Sequence, residues 1–399
     1  MASTFSSLRT GGDAATLRRR ASEQRHGRVT PCPCPRRAGP GGADGRSWRT
    51  RRCASTLGEE DTSAASRRAG SDGAYYPSQV LWPGIERTDA YLRQLDFRAK
   101  KSLGQNFVVS PKVLDRIVMS SGIVPGDHVL EIGAGTGNLT RALLSAGAQI
   151  TAVEKDDRLF AQLTQELSGE SIDLIHDDVM LWLGRGGHRE AIESGRGPFT
   201  KVVANLPFNI TTDVLKFLLP LGEQFPDIHL LLQDEAAQRL VSTCAGDTNY
   251  RAMNVLICMY AEPEYLFKID RKAFFPKPNV DGAMARFKVH PAEGVLPAGV
   301  TAAQFKSFVS QCFSRRRKMV RNNMAPLYAP DDVAAALDAA GIPRDARPQE
   351  MTAQNFSDVL VHLLNHAPQA GEQGEGGGEG EEEGEGEERR EGEGKGEGA

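Results

Sequence analysis

The nonapeptide Val129-Leu130-Glu131-Ile132-Gly133-Ala134-Gly135-Thr136-Gly137 decides which fold this chain adopts. An apolar stretch runs directly into glycines spaced G-x-G-x-G, the pattern of a buried strand that turns sharply into a helix. Glycine is needed in such a turn because the backbone must approach a ligand with no Cβ in the way. This spacing differs from the dinucleotide fingerprint G-x-G-x-x-G. It favours a nucleoside-sized ligand, although an unrelated glycine turn stays open as the alternative.

Apolar strands and helical patterns alternate on both sides of the nonapeptide, which is typical of an α/β fold with a mostly parallel sheet. The sequence predicts strands at 128–132, 150–153, 172–176, 201–204 and 229–233. Apolar residues at helical spacing predict helices at 139–146, 158–167, 211–219 and 253–260. Two more strands, at 265–269 and 283–289, flank a Pro-rich loop and predict an antiparallel pair at one edge of the sheet.

The rest of the chain divides into segments of different character. We predict a Rossmann-like domain at 76–290, with 183–199 as an inserted surface loop rich in Gly and Arg. Helical patterns at 301–313, 331–340 and 353–364 predict a small all-helical domain at 291–366.

The two ends carry opposite charges. Residues 1–58 contain twelve Arg and three acids, and segment 1–75 is predicted to be an organellar transit peptide, with a retained RNA-binding arm as the alternative. Segment 367–399 alternates Gly and Glu and is predicted to be a disordered acidic tail. Since the whole chain carries a net charge of −4, any nucleic-acid surface must be local.

Composition also excludes several classes of protein. No apolar run approaches the roughly 20 residues that a membrane helix needs, so no membrane partner is expected. Cys244, Cys258 and Cys312 are far apart and have no His at metal-ligand spacing. We therefore expect reduced thiols and no metal site.

Two acids follow the strands next to the glycine loop. Glu154 closes the second strand, where an acid accepts hydrogen bonds from ribose hydroxyls, and Asp178 follows the third strand, where a carboxylate can accept from an adenine amino group. Either acid alone would more often be a solvated loop residue. Together with Gly133, Gly135 and Gly137 at the carboxyl edge of the sheet, they indicate S-adenosylmethionine as the cofactor.

Asn205-Leu206-Pro207-Phe208 follows the fourth strand and therefore lies on the same edge. An exocyclic adenine amine is a poor nucleophile, because its lone pair is delocalised into the ring. The side-chain oxygen of Asn205 and a backbone carbonyl at Leu206 or Pro207 can hold its two N–H groups. Pro207 stiffens the turn, and Phe208 offers a stacking face for an extruded base. The alternative is an ordinary turn at the end of a strand.

These motifs together resemble the ribosomal RNA adenine N6-dimethyltransferases, the KsgA family. The resemblance covers 98 to the mid-360s, and 201–219 and 230–241 are most similar to its plastid branch. It is carried by the glycine loop and by the sequence stretches Lys101-Ser102-Leu103-Gly104-Gln105-Asn106-Phe107, Asn205-Leu206-Pro207-Phe208-Asn209-Ile210-Thr211-Thr212, Phe275-Pro276-Lys277-Pro278-Asn279-Val280-Asp281 and Arg315-Arg316-Arg317-Lys318-Met319-Val320-Arg321-Asn322.

The resemblance implies a class I S-adenosylmethionine-dependent methyltransferase sheet and two methyl transfers to each of two adjacent adenines in the last hairpin of small-subunit rRNA. It implies an immature ribosomal particle as the partner, a monomeric protein and a chloroplast location, with the mitochondrial matrix as the alternative. Phe208 stands where Tyr is more common, and Val108 where Leu is. The implied cofactor residues are Asn106, Val108, Gly133, Glu154, Asp178 and Asn205.

RNA contacts are expected at Arg315, Arg316, Arg317, Lys318 and Arg321, because runs of like charge are usually interaction surfaces. A solvated helix face is the alternative. Phe107 and Phe275 are candidates for the base pocket, with plain core packing equally open. The competing function is an organellar ribosome-assembly or transcription factor that uses the fold mainly to bind nucleic acid.

Overall fold

The structure, a computed structural model, describes residues 105–315 and 317–366, with the side chain of Phe208 left out. The predicted transit peptide at 1–75, the acidic tail at 367–399 and Arg316 lie outside the described residues, as does the start of the predicted sheet domain. Within the described part, no helix is both long and apolar enough to cross a membrane.

A seven-stranded sheet forms the centre of the fold, in the order β4-β3-β2-β5-β6-β9-β7. The first five strands in this order are parallel, and β9 runs antiparallel to both of its neighbours, β6 and β7, which gives the predicted antiparallel pair at this edge. A separate pair, β1 with β8, is antiparallel. The strands are β1 Phe107–Val108, β2 His128–Ile132, β3 Gln149–Glu154, β4 Ile172–His176, β5 Lys201–Asn205, β6 Asp227–Gln233, β7 Ala261–Ile269, β8 Phe274–Phe275 and β9 Gly282–Val289.

Helices cover both faces of the sheet. Alternate residues of β2 face opposite ways, so Leu130 and Ile132 belong to one apolar cluster and Val129 to the other. The helices are α1 Pro111–Ser120, α2 Asn138–Ser145, α3 Asp157–Glu166, α4 Val179–Gly184, α5 Gly187–Ala191, α6 Phe208–Leu218, α7 Asp234–Leu240, α8 Ala252–Tyr260, α9 Ala302–Cys312, α10 Val320–Met324, α11 Pro330–Ala339 and α12 Ala353–His366.

The carboxyl-terminal helices share a core with the sheet. Phe305 of α9 and Phe356 of α12 are fully buried in the same apolar cluster as Leu130 of β2. The ring of Phe305 lies 6.5 Å from that of Tyr260 in α8, at an interplanar angle of 83°. The division at residue 290 stays a prediction, and the core is continuous across it.

The prediction of an inserted surface loop at 183–199 is wrong. This segment contains the last turn of α4 and all of α5, and it buries Leu183, His188 and Phe199. A Cβ at Gly187 would lie 2.1 Å from Nε1 of Trp182, so glycine lets α5 rest directly on that indole. The Gly and Arg content concealed a segment that is held by a few large buried rings.

Candidate active site

The glycine loop after β2 has a backbone that requires glycine. Gly133 and Gly135 have φ values of 76° and 59°, in the left-handed region. A Cβ on Gly135 would lie 2.8 Å from Cε1 of Phe107. The N–H of Gly133 donates to the carbonyl of Val153 at 2.8 Å, which ties the loop to β3.

A cavity of about 180 Å³ opens where the carboxyl ends of β2, β3, β4 and β5 meet. The predicted residues Asn106, Gly133, Gly135, Glu154, Asp178 and Asn205 all line it. Its apolar lining is formed by Phe107, Ile132, Val153, Leu159, Val179, Leu206 and Ile210. Flat apolar walls with a few convergent acceptors suit a nucleoside-sized ligand.

Glu154 is held rigidly at the floor of this cavity. One carboxylate oxygen accepts the N–H of Gly135 and the other accepts that of Asp156, both at 2.8 Å. Burial raises the pKa of Glu154, and these backbone donors partly oppose the rise. Each carboxylate oxygen has a second lone pair, so this acid can still accept from a vicinal diol.

Asp178 does two things at once. Its Oδ1 caps α4 by accepting the N–H groups of Met180, at 2.8 Å, and Leu181, at 3.4 Å. Its Oδ2 accepts from Nζ of Lys155 at 2.8 Å, and this hydrogen bond lowers the pKa of Asp178. The carboxylate therefore stays ionised and fixed in direction at the cavity wall.

Asn205 lies at the end of β5, and its amide is oriented by the segment before α1. Its Nδ2 donates to the backbone carbonyl of Asn106 at 2.7 Å. Because a carbonyl only accepts, Nδ2 must face it, and the side-chain oxygen of Asn205 is turned the other way. This contact gives a physical reason for two motifs 99 residues apart to occur together.

A second cavity, of about 400 Å³, adjoins the first. Both are lined by Asn106, Asn205, Leu206, Pro207 and Asn209, so these residues form the boundary between them. The rest of its lining comes from the end of β6 and from the Pro-rich segment, at Leu231, Leu232, Gln233, Phe274, Pro278, Val280, Asp281 and Gly282.

The wall of this second cavity is held by an ionic network. Nζ of Lys268 lies 3.0 Å from Oδ2 of Asp281 and 3.4 Å from Oδ2 of Asp234. The hydroxyl of Tyr265 donates to Oδ1 of Asp234 at 2.7 Å. The Pro-rich segment is therefore fastened to the sheet.

The structure distinguishes the two candidate carbonyls at the boundary. The carbonyl of Pro207 already accepts the N–H of Ile210, at 3.2 Å, and the hydroxyl of Thr211, at 3.1 Å. Within the described residues, no donor is recorded for the carbonyl of Leu206. Leu206 is therefore the better acceptor for an incoming amine.

A family model described as ribosomal RNA adenine dimethylase matches residues 96–363. The chain belongs to this family. A chloroplastic ribosomal RNA small subunit methyltransferase of Arabidopsis thaliana is 38% identical over 281 residues, or 68% of this chain and 81% of that protein. Ribosomal RNA small subunit methyltransferase A of Chlamydia trachomatis serovar L2 is 33% identical over 282 residues, or 70% and 97%.

The fold of this rRNA adenine dimethylase also matches a solved structure. The crystal structure of a dimethyladenosine transferase from Plasmodium falciparum aligns with a TM-score of 0.50 and 21% identity, covering 64% of this chain and 96% of that one. The class I methyltransferase sheet and the family resemblance are thereby confirmed. The cofactor of this enzyme is S-adenosyl-L-methionine.

The chain's residues fit that cofactor. Gly133 has a left-handed backbone beside the cavity, and an added Cβ would meet only the carbonyl of Asn205, at 4.0 Å. Glu154 is an oriented acceptor at the floor and Asp178 another at the wall. Among the described residues, no group of three or more His, Cys, Asp or Glu is placed to hold a metal ion.

Three predicted residues of this dimethylase lie elsewhere. Val108 is buried outside the cavity, and its carbonyl accepts from Nδ2 of Asn138 at 2.8 Å. Gly137 caps α2, and a Cβ there would lie 2.6 Å from Cδ2 of Leu163. Phe275 pairs with Phe107 across β8 and β1 and packs on it and on Leu159, outside the second cavity. Their roles stay predictions, and each position also has a packing function.

Arg315, Arg317 and Lys318 lie in the turn between α9 and α10, and Arg321 is the second residue of α10. Arg315, Arg317, Lys318 and Arg321 are exposed, and none of them lines either cavity. Nδ2 of Asn323 donates to the carbonyls of Cys312, at 2.6 Å, and Arg315, at 3.1 Å, which fixes the turn.

The sequence prediction missed several residues that line the first cavity of this dimethylase. Asp177 lines it, accepts the N–H of Asp178 at 2.8 Å and forms an ion pair with Arg185. Leu159 and Val179 supply apolar wall. Two of these adjoin Asp178 in the chain, so the residues flanking that acid were the available clue.

Proposed function

We propose that this enzyme dimethylates N6 of two adjacent adenines in the 3′-terminal hairpin of an organellar small-subunit rRNA, acting on an immature ribosomal particle during ribosome biogenesis. The observation that carries the proposal is the meeting of two cavities at Asn205, Leu206 and Pro207. One cavity suits a nucleoside-sized cofactor, and the other opens beside it on the same sheet edge. A base in the second cavity would reach the first only across this boundary.

In this proposal, the first cavity holds the cofactor. Glu154 accepts from the ribose hydroxyls and Asp178 from the adenine amino group, while Gly133 and Gly135 let the backbone approach. Asn106 and Asn205 lie at the end that faces the second cavity. Val108 and Gly137 do not touch the cofactor in this proposal. Val108 supports Asn138 through its carbonyl, and Gly137 forms the start of α2.

The target amine is held by two acceptors at the boundary. The side-chain oxygen of Asn205 takes one N–H and the carbonyl of Leu206 takes the other, which localises the nitrogen lone pair towards the cofactor. Pro207 keeps the turn rigid. Phe208 begins α6 beside this turn, where its ring would stack on the extruded base, a contact worth about 1–3 kcal/mol.

The chemistry needs orientation more than acid–base catalysis. S-adenosylmethionine, when bound, supplies a sulfonium methyl group. The chain's own groups hold the amine in line, and its proton leaves to water after the transfer, so no side chain of shifted pKa is required. Near-attack positioning accounts for most of the rate.

The substrate and location rest on the relatives and on charge. The two relatives described above are named small-subunit methyltransferases, and one is chloroplastic. The exposed cations Arg315, Arg317, Lys318 and Arg321, together with Arg316 between them, suit RNA phosphates. We propose the chloroplast stroma as the site of action, the mitochondrial matrix as the alternative, and a monomer as the active form.

Primer extension across the final hairpin of plastid and mitochondrial small-subunit rRNA tests this proposal, in cells with and without the protein. N6-dimethyladenine blocks the pairing edge of the base and stops reverse transcriptase. We expect the paired stop to disappear in the plastid RNA of cells that lack the protein. Stops that persist in both organelles would favour the non-catalytic assembly or transcription role.

A further inference from the structure

A third cavity lies outside the first and second cavities and is larger than either, at about 660 Å³. It is formed by α4, α5, α6 and α9, and we call it the basic groove. Its cationic lining residues are Arg185, Arg189, Lys216 and Lys306, against one acid, Asp213, among the described lining residues. The whole chain carries a net charge of −4, so this concentration of cations is local.

Two of these cations have no acidic partner recorded within the described part of the chain. Arg189 and Lys306 are exposed and form no ion pair there. Lys216 is bridged to Asp213, with Nζ 3.0 Å from Oδ1, and Arg185 is bridged to Asp177. The basic groove therefore has a surplus of positive charge that the acids of 105–315 and 317–366 do not neutralise through ion pairs.

The floor of the basic groove is formed by packed rings. His188 is 2% exposed, and its ring lies 5.7 Å from that of Phe217 and 5.8 Å from that of Phe225. Burial lowers the pKa of His188, and the neighbouring Arg189 lowers it further. The floor thus sets the shape, and the charge stands at the rim, where a polyanion's backbone could lie.

The basic groove runs along the seam between α6 and α9. Lys216 and Lys306 also line an adjoining cavity with Leu219, Leu256 and Tyr260, which extends the path. Lys306 is six residues before the end of α9 at Cys312, about 9 Å along the helix axis, and the basic run begins three residues later. An RNA strand that lies along α9 would pass from the cations of the basic groove to those of the basic run that begins at Arg315.

We propose that the basic groove binds the phosphate backbone of a second segment of the same rRNA, away from the segment whose adenines are methylated. The inference rests on the proposed function for its ligand. A phosphodiester chain is favoured over a small anion because the cations come from α5, α6, α9 and the turn after α4, and two of them also line an adjoining cavity. Each cation neutralises one phosphate and releases its counterion.

The salt dependence of RNA binding tests this proposal on the full chain, without any methyl transfer. The probe is a transcript of the 3′ domain of small-subunit rRNA. Arg189→Gln and Lys306→Gln should each make the fall of log K for RNA binding with log salt less steep, by about 0.7–0.9 in the magnitude of the slope. When salt is raised from 50 to 200 mM, the fold loss of RNA affinity should then be about threefold smaller for each variant than for the parent.

The matched control is Lys288→Gln. Lys288 is exposed on β9 and lines none of the three cavities, so its removal should leave the slope unchanged. Equal slopes for the groove variants and the parent would overturn the proposal. So would unchanged RNA slopes combined with lost binding of inorganic phosphate or of polyglutamate, which would indicate a small-anion or acidic-peptide site.

The outcome is separable from that of the proposed function. If the groove variants flatten the slope while the protein forms no methylated adenine, the groove stands and the methylation proposal fails. If the parent methylates the hairpin and the groove variants show the same salt slope as the parent, only the proposal for the basic groove fails.

Discussion

Asn205 is the residue on which the proposed chemistry depends most. Its Nδ2 is engaged by the carbonyl of Asn106, so its oxygen faces the boundary of the two cavities. We expect Asn205→Ala to abolish methyl transfer and to leave cofactor affinity within about tenfold, or 1.4 kcal/mol. Turnover and calorimetric cofactor titration measure the two effects. Asn249→Ala, at an exposed asparagine outside both cavities, is the control. Wild-type turnover in Asn205→Ala would show that Asn205 does not hold the target amine.

Asp178 combines a structural and a binding role, which two substitutions separate. Asp178→Ala should lower the free energy of unfolding by about 1 kcal/mol, because α4 loses its cap, and should also weaken cofactor binding. Asp178→Ser keeps a capping oxygen and loses the carboxylate. It should retain stability and still weaken cofactor binding. Unchanged cofactor affinity in both variants would show that Asp178 only caps the helix.

Glu131 makes stability depend on pH. Burial raises its pKa to about 8; the hydroxyl of Thr140 opposes the rise and the carboxylate of Glu154 adds to it. The unfolded carboxyl ionises near its ordinary pKa of about 4.3, so the free energy of unfolding should fall as pH rises towards 8, by up to about 1.4 kcal/mol per pH unit. Urea denaturation between pH 5 and 8 measures the slope.

The control for this prediction is a neutral, nearly isosteric side chain. Glu131→Gln should flatten the slope, and Glu170→Gln, at an exposed acid, should not. An unchanged slope in Glu131→Gln would mean that another group governs the pH dependence.

At the residue scale, the sequence predicted polar and glycine residues that line the first cavity and missed much of its apolar wall. Glu154, Asp178 and Asn205 were identifiable because acids and amides at strand ends meet at one edge of a parallel sheet. Val108 and Gly137 line no part of that cavity, because one faces Asn138 and the other packs against Leu163. The direction in which a residue next to a motif points depends on tertiary packing, which no local pattern shows.

At the element scale, the buried strands were predictable and the segment after β4 was not. Alternating and continuous apolar runs located every strand of the seven-stranded sheet, with boundaries correct to within a few residues. The helices at 183–199 were missed because they are short and are held by tertiary packing: Leu183 and Phe199 are buried in the main apolar cluster, and the ring of His188 packs near those of Phe217 and Phe225.

The turn between α9 and α10 carries a prediction of its own. Arg315, Arg317 and Lys318 are exposed, and Asn323 holds the carbonyl of Arg315, so the turn can present several charges to RNA without first being ordered. Replacing Arg316, Arg317 and Lys318 with Gln should lower the salt slope of RNA binding by up to about 2–3. Lys288→Gln is again the control. A slope equal to that of the parent would show that these cations are solvated and do not contact RNA phosphates.

At the scale of the whole molecule, one apolar core joins the sheet to the carboxyl-terminal helices. We expect Phe305→Ala to lower the free energy of unfolding by about 3–5 kcal/mol and to leave a single cooperative transition, because Phe305 is fully buried in that core. Ser307→Ala, at an exposed position on the same helix, should change stability by less than about 0.5 kcal/mol. Two separated transitions in calorimetry would show that the helices fold independently.

The arrangement of the whole molecule suggests why a shared core suits this enzyme. The first and second cavities meet at Asn205, Leu206 and Pro207, and the exposed turn after α9 belongs to helices that share an apolar core with the sheet. A rigid frame of this kind holds a target base in a near-attack position without a large conformational change.

Transfer of labelled methyl groups from S-adenosylmethionine to purified immature small ribosomal subunits, followed by nucleoside analysis, tests the central claim most directly. The account predicts N6,N6-dimethyladenosine, confined to two adjacent positions of the last hairpin, with the wild-type protein and none with Asn205→Ala. Absence of methylated adenine with the wild-type protein, or equal product from Asn205→Ala, would contradict it.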